Sequence, residues 1–278
     1  MDLEQAKAST VVIEPSKGWQ LVNFNELWEY RDLLYFLVWR DIRVQYAQTV
    51  LGFGWAILEP LIQIVLFTII FGSVAKIETD GIPYFLFSTV AIVPWTYMSA
   101  AMTNSSQSLV SGQNMLGKVY FPRLIFPIAP VLTKFVDFLI ALVIIAVVML
   151  FYGVKPTEQL LLLPLFIALM VAVPTAVGFW LAALSVQYRD VKFAMQFIIR
   201  MLIYTAPIVY SASAIPAGWR FIYSLNPIVS VVEGFRACLL GTPVPWLFVL
   251  PGMLVGIVLF VTGALYFRRM ERLVVDVI

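Results

Sequence analysis

Hydrophobic positions along this chain come in six long blocks, at residues 54–74, 82–102, 126–151, 160–184, 193–210 and 246–267. A helix needs about 20 mostly apolar residues to cover a hydrocarbon core of about 30 Å, and each block is close to that length. The pattern predicts an all-α integral membrane protein with six transmembrane helices. Ahead of the first block the rhythm changes. At about 100° per residue, Glu29, Asp32, Arg40 and Arg43 fall within a quarter of a helix circumference. Leu27, Trp28, Tyr30, Leu34, Leu37, Val38, Trp39 and Ile42 occupy the opposite side, which Arg31 and Asp41 interrupt. Residues 25–46 therefore read as an amphipathic interfacial helix with Trp28 and Trp39 at headgroup depth, an anchor or a docking surface for a partner subunit. Asn23 followed by Glu26 has the form of a capping box at its start.

Residues 211–245 are too apolar for a free loop and too interrupted for a span. Pro216, the Asn226-Pro227 pair and the Gly241-Thr242-Pro243 turn cut them into two short amphipathic pieces. Irregular backbone at membrane depth is tolerated only where protein or a water-filled cavity covers it, so this segment reads as a short re-entrant helical hairpin between spans 5 and 6. Glu233 and Arg236, three apart, suit a local ion pair on its second piece. The chain thus divides into a cytoplasmic tail with the interface helix, residues 1–52, and a six-span transmembrane domain, residues 53–278.

Composition strengthens the membrane reading. Of 278 residues, 62% are hydrophobic and 12% charged, against roughly 45–50% and about 25% in a soluble domain. No short apolar run follows a basic start, so a cleavable signal peptide is not expected. With both termini cytoplasmic, inner segments hold twelve of the 18 Lys and Arg residues and outer loops four, which fixes the orientation by the positive-inside rule. The net charge of +2 gives no basic field for nucleic acid. There is no histidine, which removes the commonest general base and metal ligand, and the lone Cys238 excludes an internal disulfide or a Cys-x-x-Cys site.

Residues 112–118 fit GxxxxGK, but Val119 stands where a P-loop needs Ser or Thr, and no strand precedes it, so the chain carries no ATPase site and no cofactor of its own. Ionisable residues inside spans are functional candidates by default. Lys134 and Asp137 lie three apart and read as a self-neutralising pair; Glu59 sits near the start of the first span, and Arg200 lies deeper in the fifth, facing protein or a polar conduit. Aromatics make up 15% of the chain. Phe67 and Phe71 share a face of the first span, and Phe193, Phe197 and Tyr204 roughly share one of the fifth. Such rings mostly pack against lipid or neighbouring helices; the sharper reading of Phe67, Phe71, Phe197 and Tyr204 is a conduit wall along which sugar rings slide. Gly252 and Gly256 form a GxxxG pair suited to close helix packing.

Several runs resemble a known family: Arg31-Asp32-Leu33-Leu34, then residues 38–46 (VWRDIRVQY), Gln48-Thr49-Val50-Leu51-Gly52 and Trp55-Ala56. Lys118-Val119-Tyr120-Phe121-Pro122-Arg123, Gln187-Tyr188-Arg189-Asp190-Val191-Lys192, Asn226-Pro227 and Glu233-Gly234-Phe235-Arg236 follow in order. The chain is similar to permease subunits of ABC-type polysaccharide exporters, which move lipid-linked O-antigen, capsule or teichoic acid. The resemblance implies a homodimer in the bacterial inner membrane with a polymer conduit at the dimer interface. It also implies two separate ATP-binding cassette subunits that carry the ATP and magnesium. Those subunits would contact the interface helix and the inner loops, at Arg40, Asp41, Arg43, Lys118, Arg123, Arg189, Asp190 and Lys192. The outer hairpin, with Asn226, Pro227, Glu233 and Arg236, would be a gate.

Two other classes compete. A secondary transporter needs several buried acids and usually an internal repeat. A membrane enzyme acting on polyprenol-linked sugars needs an acid or base cluster at one membrane face. The sequence supplies neither.

Overall fold

The computed structural model describes residues 28–116 and 121–277. The capping pair Asn23 and Glu26, and Lys118, lie outside them. Every regular element among the described residues is helical. The interface helix α1 (Arg31–Tyr46) is followed by a short 3₁₀ turn and by α2 (Trp55–Phe67), which continues as a π-helical stretch to Val74. Then come α3 (Tyr84–Ser106), α4 (Ile125–Phe151), α5 (Leu163–Gln187) and α6 (Val191–Leu202). The short helix Arg220–Ser224, α7 (Pro227–Leu240) and α8 (Trp246–Val277) complete the chain.

Among the described residues, five helices are long and apolar enough to cross a membrane: Gly52–Val74, Tyr84–Ser106, Ile125–Phe151, Glu158–Gln187 and Trp246–Met270. The predicted fifth block differs. It folds as the 12-residue helix α6 followed by turns through Tyr210. A helical Pro207 would press its ring on the carbonyl of residue 203, and the helix stops at Leu202, although Pro60, Pro94, Pro130 and Pro174 are accommodated inside helices. Hydropathy does not register this break, because the residues stay apolar across it.

The bundle is organised around α3, whose most apolar stretch is 78% buried, whereas that of the α2 span is 11% buried. The large core gathers Met98, Phe138, Phe166 and Phe235 from α3, α4, α5 and α7. A second cluster, with Leu37, Phe121, Phe179 and Phe267, fastens α1 to the adjoining ends of α4, α5 and α8. The charged residues of α1, Glu29, Asp32, Arg40 and Arg43, are exposed as expected. Its apolar side divides in two: Leu37 and Ile42 turn into the bundle, while Trp28, Tyr35 and Trp39 stay exposed.

The segment expected to form two amphipathic pieces is packed more deeply than that pattern suggests. Every residue from Ile228 to Leu239 in α7 is buried. The GxxxG pair makes this possible. A Cβ on Gly252 would stand 2.8 Å from the backbone oxygens of both Ser224 and Asn226, so only glycine lets α8 approach the hairpin backbone. Gly256 faces Leu169, Val173 and Pro227. The motif thus serves packing within one chain.

Candidate functional site

Three groups of predicted residues take shape. The first joins α1 to α4. The Lys134 Nζ donates to Asp137 at 3.1 Å, as the spacing predicted, and also to Gln45 Oε1 at 2.8 Å. The Gln45 amide donates to Asp137 at 3.0 Å, and the Tyr46 hydroxyl donates to its other carboxylate oxygen. Four side chains therefore close a network between the last turn of α1 and the middle of α4. Burial, and then the Asp137 carboxylate, push the Tyr46 phenol above its ordinary range. Gln45 and Tyr46 stand in a quoted motif, but nothing local links them to residues some 90 positions away.

The second group surrounds the broken end of α6. A helix that ends leaves carbonyls without intrahelical donors, and here several receive a donor from another part of the chain. The Tyr210 hydroxyl donates to the Tyr204 carbonyl at 3.0 Å, and Asn226 Nδ2 to that of Thr205 at 3.2 Å. Arg236 Nη2 donates to the Pro207 carbonyl at 2.7 Å, and the Tyr84 hydroxyl to that of Val209 at 2.8 Å. Asn226 also caps α7, its Oδ1 accepting from the Ile228 amide, and Pro227 occupies the first helical position, where its missing N–H is not needed. Arg236 donates from Nη1 to Glu233 and lies 3.8 Å over the Phe87 ring, a cation–π contact in a desolvated place. The expected Glu233–Arg236 pair is present and buried. Asn226 and Arg236, the latter with Glu233, thus meet the backbone beyond α6, while Pro227 only opens α7; Tyr84, Phe87 and Tyr210 are the members that sequence reasoning missed.

The third group lies on open surfaces. Glu59 is exposed on α2 and Arg200 on α6, with no ion pair to either among the described residues. Phe197 and Tyr204 are 64% and 56% exposed. Phe67 and Phe71 are only half-buried rather than open; their rings meet edge-to-face at 5.3 Å, and Phe67 packs on the large core. The structure therefore separates the four aromatics into an open pair and a packing pair. At the α1 end of the bundle, Arg40 pairs with Asp41 at 2.7 Å, Arg123 is half-buried, and Arg189, Asp190 and Lys192 are exposed in and beside the tight turn between α5 and α6. Arg40, Arg43, Arg189 and Lys192 thus present cations at one end of the bundle. No group of three or more acidic, His or Cys side chains among the described residues could hold a metal.

Comparison with known proteins places this architecture. The family model described as ABC-2 type transporter matches residues 32–240, from the first turn of α1 to the last residue of α7. The chain belongs to the ABC-2 type transporter family. Among relatives of this ABC-2 chain, the O-antigen export system permease protein RfbA of Myxococcus xanthus is 28% identical over 214 residues, covering 76% of this chain and 82% of the relative. The protein of the same name from Klebsiella pneumoniae is 25% identical over 241 residues, covering 86% and 92%. The inner membrane transport permease YadH of Escherichia coli K12 is 31% identical over 209 residues, covering 66% and 75%. The ABC-2 match includes the α1–α4 network and the whole set of donors around the broken α6, so both lie in the part of the chain that carries the family likeness.

Proposed function

We propose that this chain is the transmembrane subunit of an ATP-driven exporter that moves lipid-linked, O-antigen-like polysaccharide outward across the bacterial inner membrane. The observation that carries this reading is the likeness, over most of the chain, to permeases named for O-antigen export. ATP hydrolysis belongs to two cassette subunits docked at the end where Arg40, Arg43, Arg189 and Lys192 are exposed. Those cations, with Asp41, Lys118, Arg123 and Asp190, transmit the partner's movement.

In this reading α6 and the turns beyond it form a sixth, interrupted crossing, the hairpin of Arg220–Ser224 and α7 re-enters from outside, and both termini are cytoplasmic. The open faces of α2 and α6 meet a second copy. An unpaired Glu59 or Arg200 is costly against lipid, so both faces suit a protein partner or a polar conduit better than acyl chains. Phe197 and Tyr204 are the aromatics placed to touch a passing glycan, and the Asn226, Pro227, Glu233 and Arg236 constellation borders its outer exit.

The test is loss of function in the native host. Deleting the coding sequence should remove polysaccharide from the cell surface and leave lipid-linked polymer inside, and the purified chain should bring an ATPase with it. Unchanged surface polymer without internal accumulation would refute the assignment.

A further inference from the structure

A cavity of about 470 Å³ opens where α1 crosses the ends of α3 and α4. One side is apolar, with Leu37 and Phe126; the other presents Arg40, Asn104, Ser108 and Lys134. Ser108 is only 7% exposed, and its Oγ has no hydrogen-bond partner. Buried hydroxyls are almost always bonded, so an orphan on a cavity wall points to a group that belongs in that cavity. Lys134 uses two of its three N–H donors on Gln45 and Asp137, and one remains. Arg40 engages Asp41 through Nε and Nη2, which leaves Nη1. The Asn104 amide makes no hydrogen bond among the described residues, although it lines the same space. Both cations on the wall are paired, Arg40 with Asp41 and Lys134 with Asp137, yet each keeps an unspent donor.

Donors in excess and apolar walls together fit a phosphate ester attached to hydrocarbon. A free anion would leave Leu37 and Phe126 without a role. The location agrees: the cavity lies against α1, whose pattern reads as an interfacial helix. We propose that this cavity seats the phosphate headgroup of a membrane glycerophospholipid, held between α1 and α4 as a bound lipid distinct from any transported glycan. The proposal rests on the interfacial placement of α1. A lipid there would join the Gln45–Lys134–Asp137 network to the bilayer, so that the position of α1 depends on lipid composition.

The test uses the full chain with its ATPase partner, extracted in mild detergent. Native mass spectrometry should find phospholipid retained through delipidation. Adding phosphatidylglycerol to the delipidated complex should raise its unfolding temperature, whereas inorganic phosphate at the same concentration should not. Ser108→Ala should weaken the lipid effect about tenfold, as expected for one lost bond to a charged group. Ser108→Leu should abolish it; should that variant fail to fold, Ser111→Trp, at an exposed lining position, blocks the same space. Equal retention and equal shifts in wild type and the blocked variant would overturn the proposal. So would a shift produced by inorganic phosphate alone, or replacement of the bound phospholipid by a polyprenyl-linked glycan.

Discussion

Arg236 reaches back 29 positions in sequence to donate from Nη2 to the carbonyl of Pro207, 2.7 Å away. The proline that ends α6 and the arginine that receives its stranded carbonyl are therefore one structural unit, with Glu233 supplying the counter-charge. Removing one partner of a buried pair leaves the other uncompensated, which costs about 3–5 kcal/mol, whereas replacing both with apolar residues is often close to neutral. Arg236→Leu should therefore sharply lower the unfolding temperature in detergent. Arg236→Leu combined with Glu233→Leu should recover much of the loss. The orphaned Pro207 carbonyl sets the residue of it, about 1–3 kcal/mol. A double variant as unstable as the single one would show that the ion pair is not what makes Arg236 necessary.

The network between α1 and the middle of α4 makes a separate prediction. Asp137 accepts from Lys134, Gln45 and Tyr46, and two of those donors lie in the last turn of α1. Asp137→Asn should loosen the docking of α1 by about 1–2 kcal/mol, given bonds to a charged but partly exposed carboxylate. Cysteines introduced at Val38 and Ile42 should then label roughly tenfold faster, while those at Asp32 and Arg43 label quickly in either background. The native Cys238 is 1% exposed and gives little background. Identical labelling rates with and without Asp137→Asn would remove the network as the clamp on α1.

Glycine spacing separates close approach from mere proximity. At Gly252 a Cβ would meet two backbone oxygens at 2.8 Å, and backbone cannot swing aside as a side chain does. At Gly256 the nearest atom is the terminal methyl of Leu169 at 3.3 Å. Gly252→Ala should thus unseat the hairpin from α8 and reduce folded yield severely, and Gly256→Ala should change stability by less than about 1 kcal/mol. Thermal unfolding of the two variants side by side decides the matter; similar behaviour would contradict the packing described for α8.

What could be read from the sequence follows a physical division. Hydropathy blocks and the i, i+3 pairs Lys134–Asp137 and Glu233–Arg236 are local signals, and among the described residues the structure contains both pairs and five of the six blocks as span-length helices. The end of α6 ahead of Pro207 was not legible, because the outcome depends on donors from Tyr84, Asn226 and Arg236, none of them close in sequence. The depth of α7 was illegible for a related reason: its burial comes from Gly252 admitting the hairpin backbone, a tertiary fact that alternating polarity does not encode. Among the aromatics, helical spacing placed Phe67 and Phe71 together correctly, but it could not tell which side of α2 faces the bundle.

That last distinction carries into export. Phe197 and Tyr204 stand open to whatever occupies the space beside α6, whereas Phe67 and Phe71 meet edge-to-face and Phe67 packs on the core. Under the proposed function, truncating an open ring removes contact with a passing glycan and creates no cavity; truncating a packed one leaves a void. A half-buried phenylalanine should cost about 2 kcal/mol on truncation, below the 3–5 kcal/mol of a fully buried ring. Phe197→Ala and Tyr204→Ala should therefore lower polysaccharide exported per folded molecule with little change in unfolding temperature. Phe67→Ala should instead lower the unfolding temperature, with export falling only in step with folded protein. Stacking on a base is worth about 1–3 kcal/mol, and a sugar offers no second aromatic face, so a single open ring should matter modestly and the pair more. The measurement scores export and folded protein for each variant in one strain. Should Phe197→Ala and Tyr204→Ala reduce export only in proportion to folded protein, both rings are structural, and the wall of any conduit must be sought elsewhere on the α2 and α6 faces.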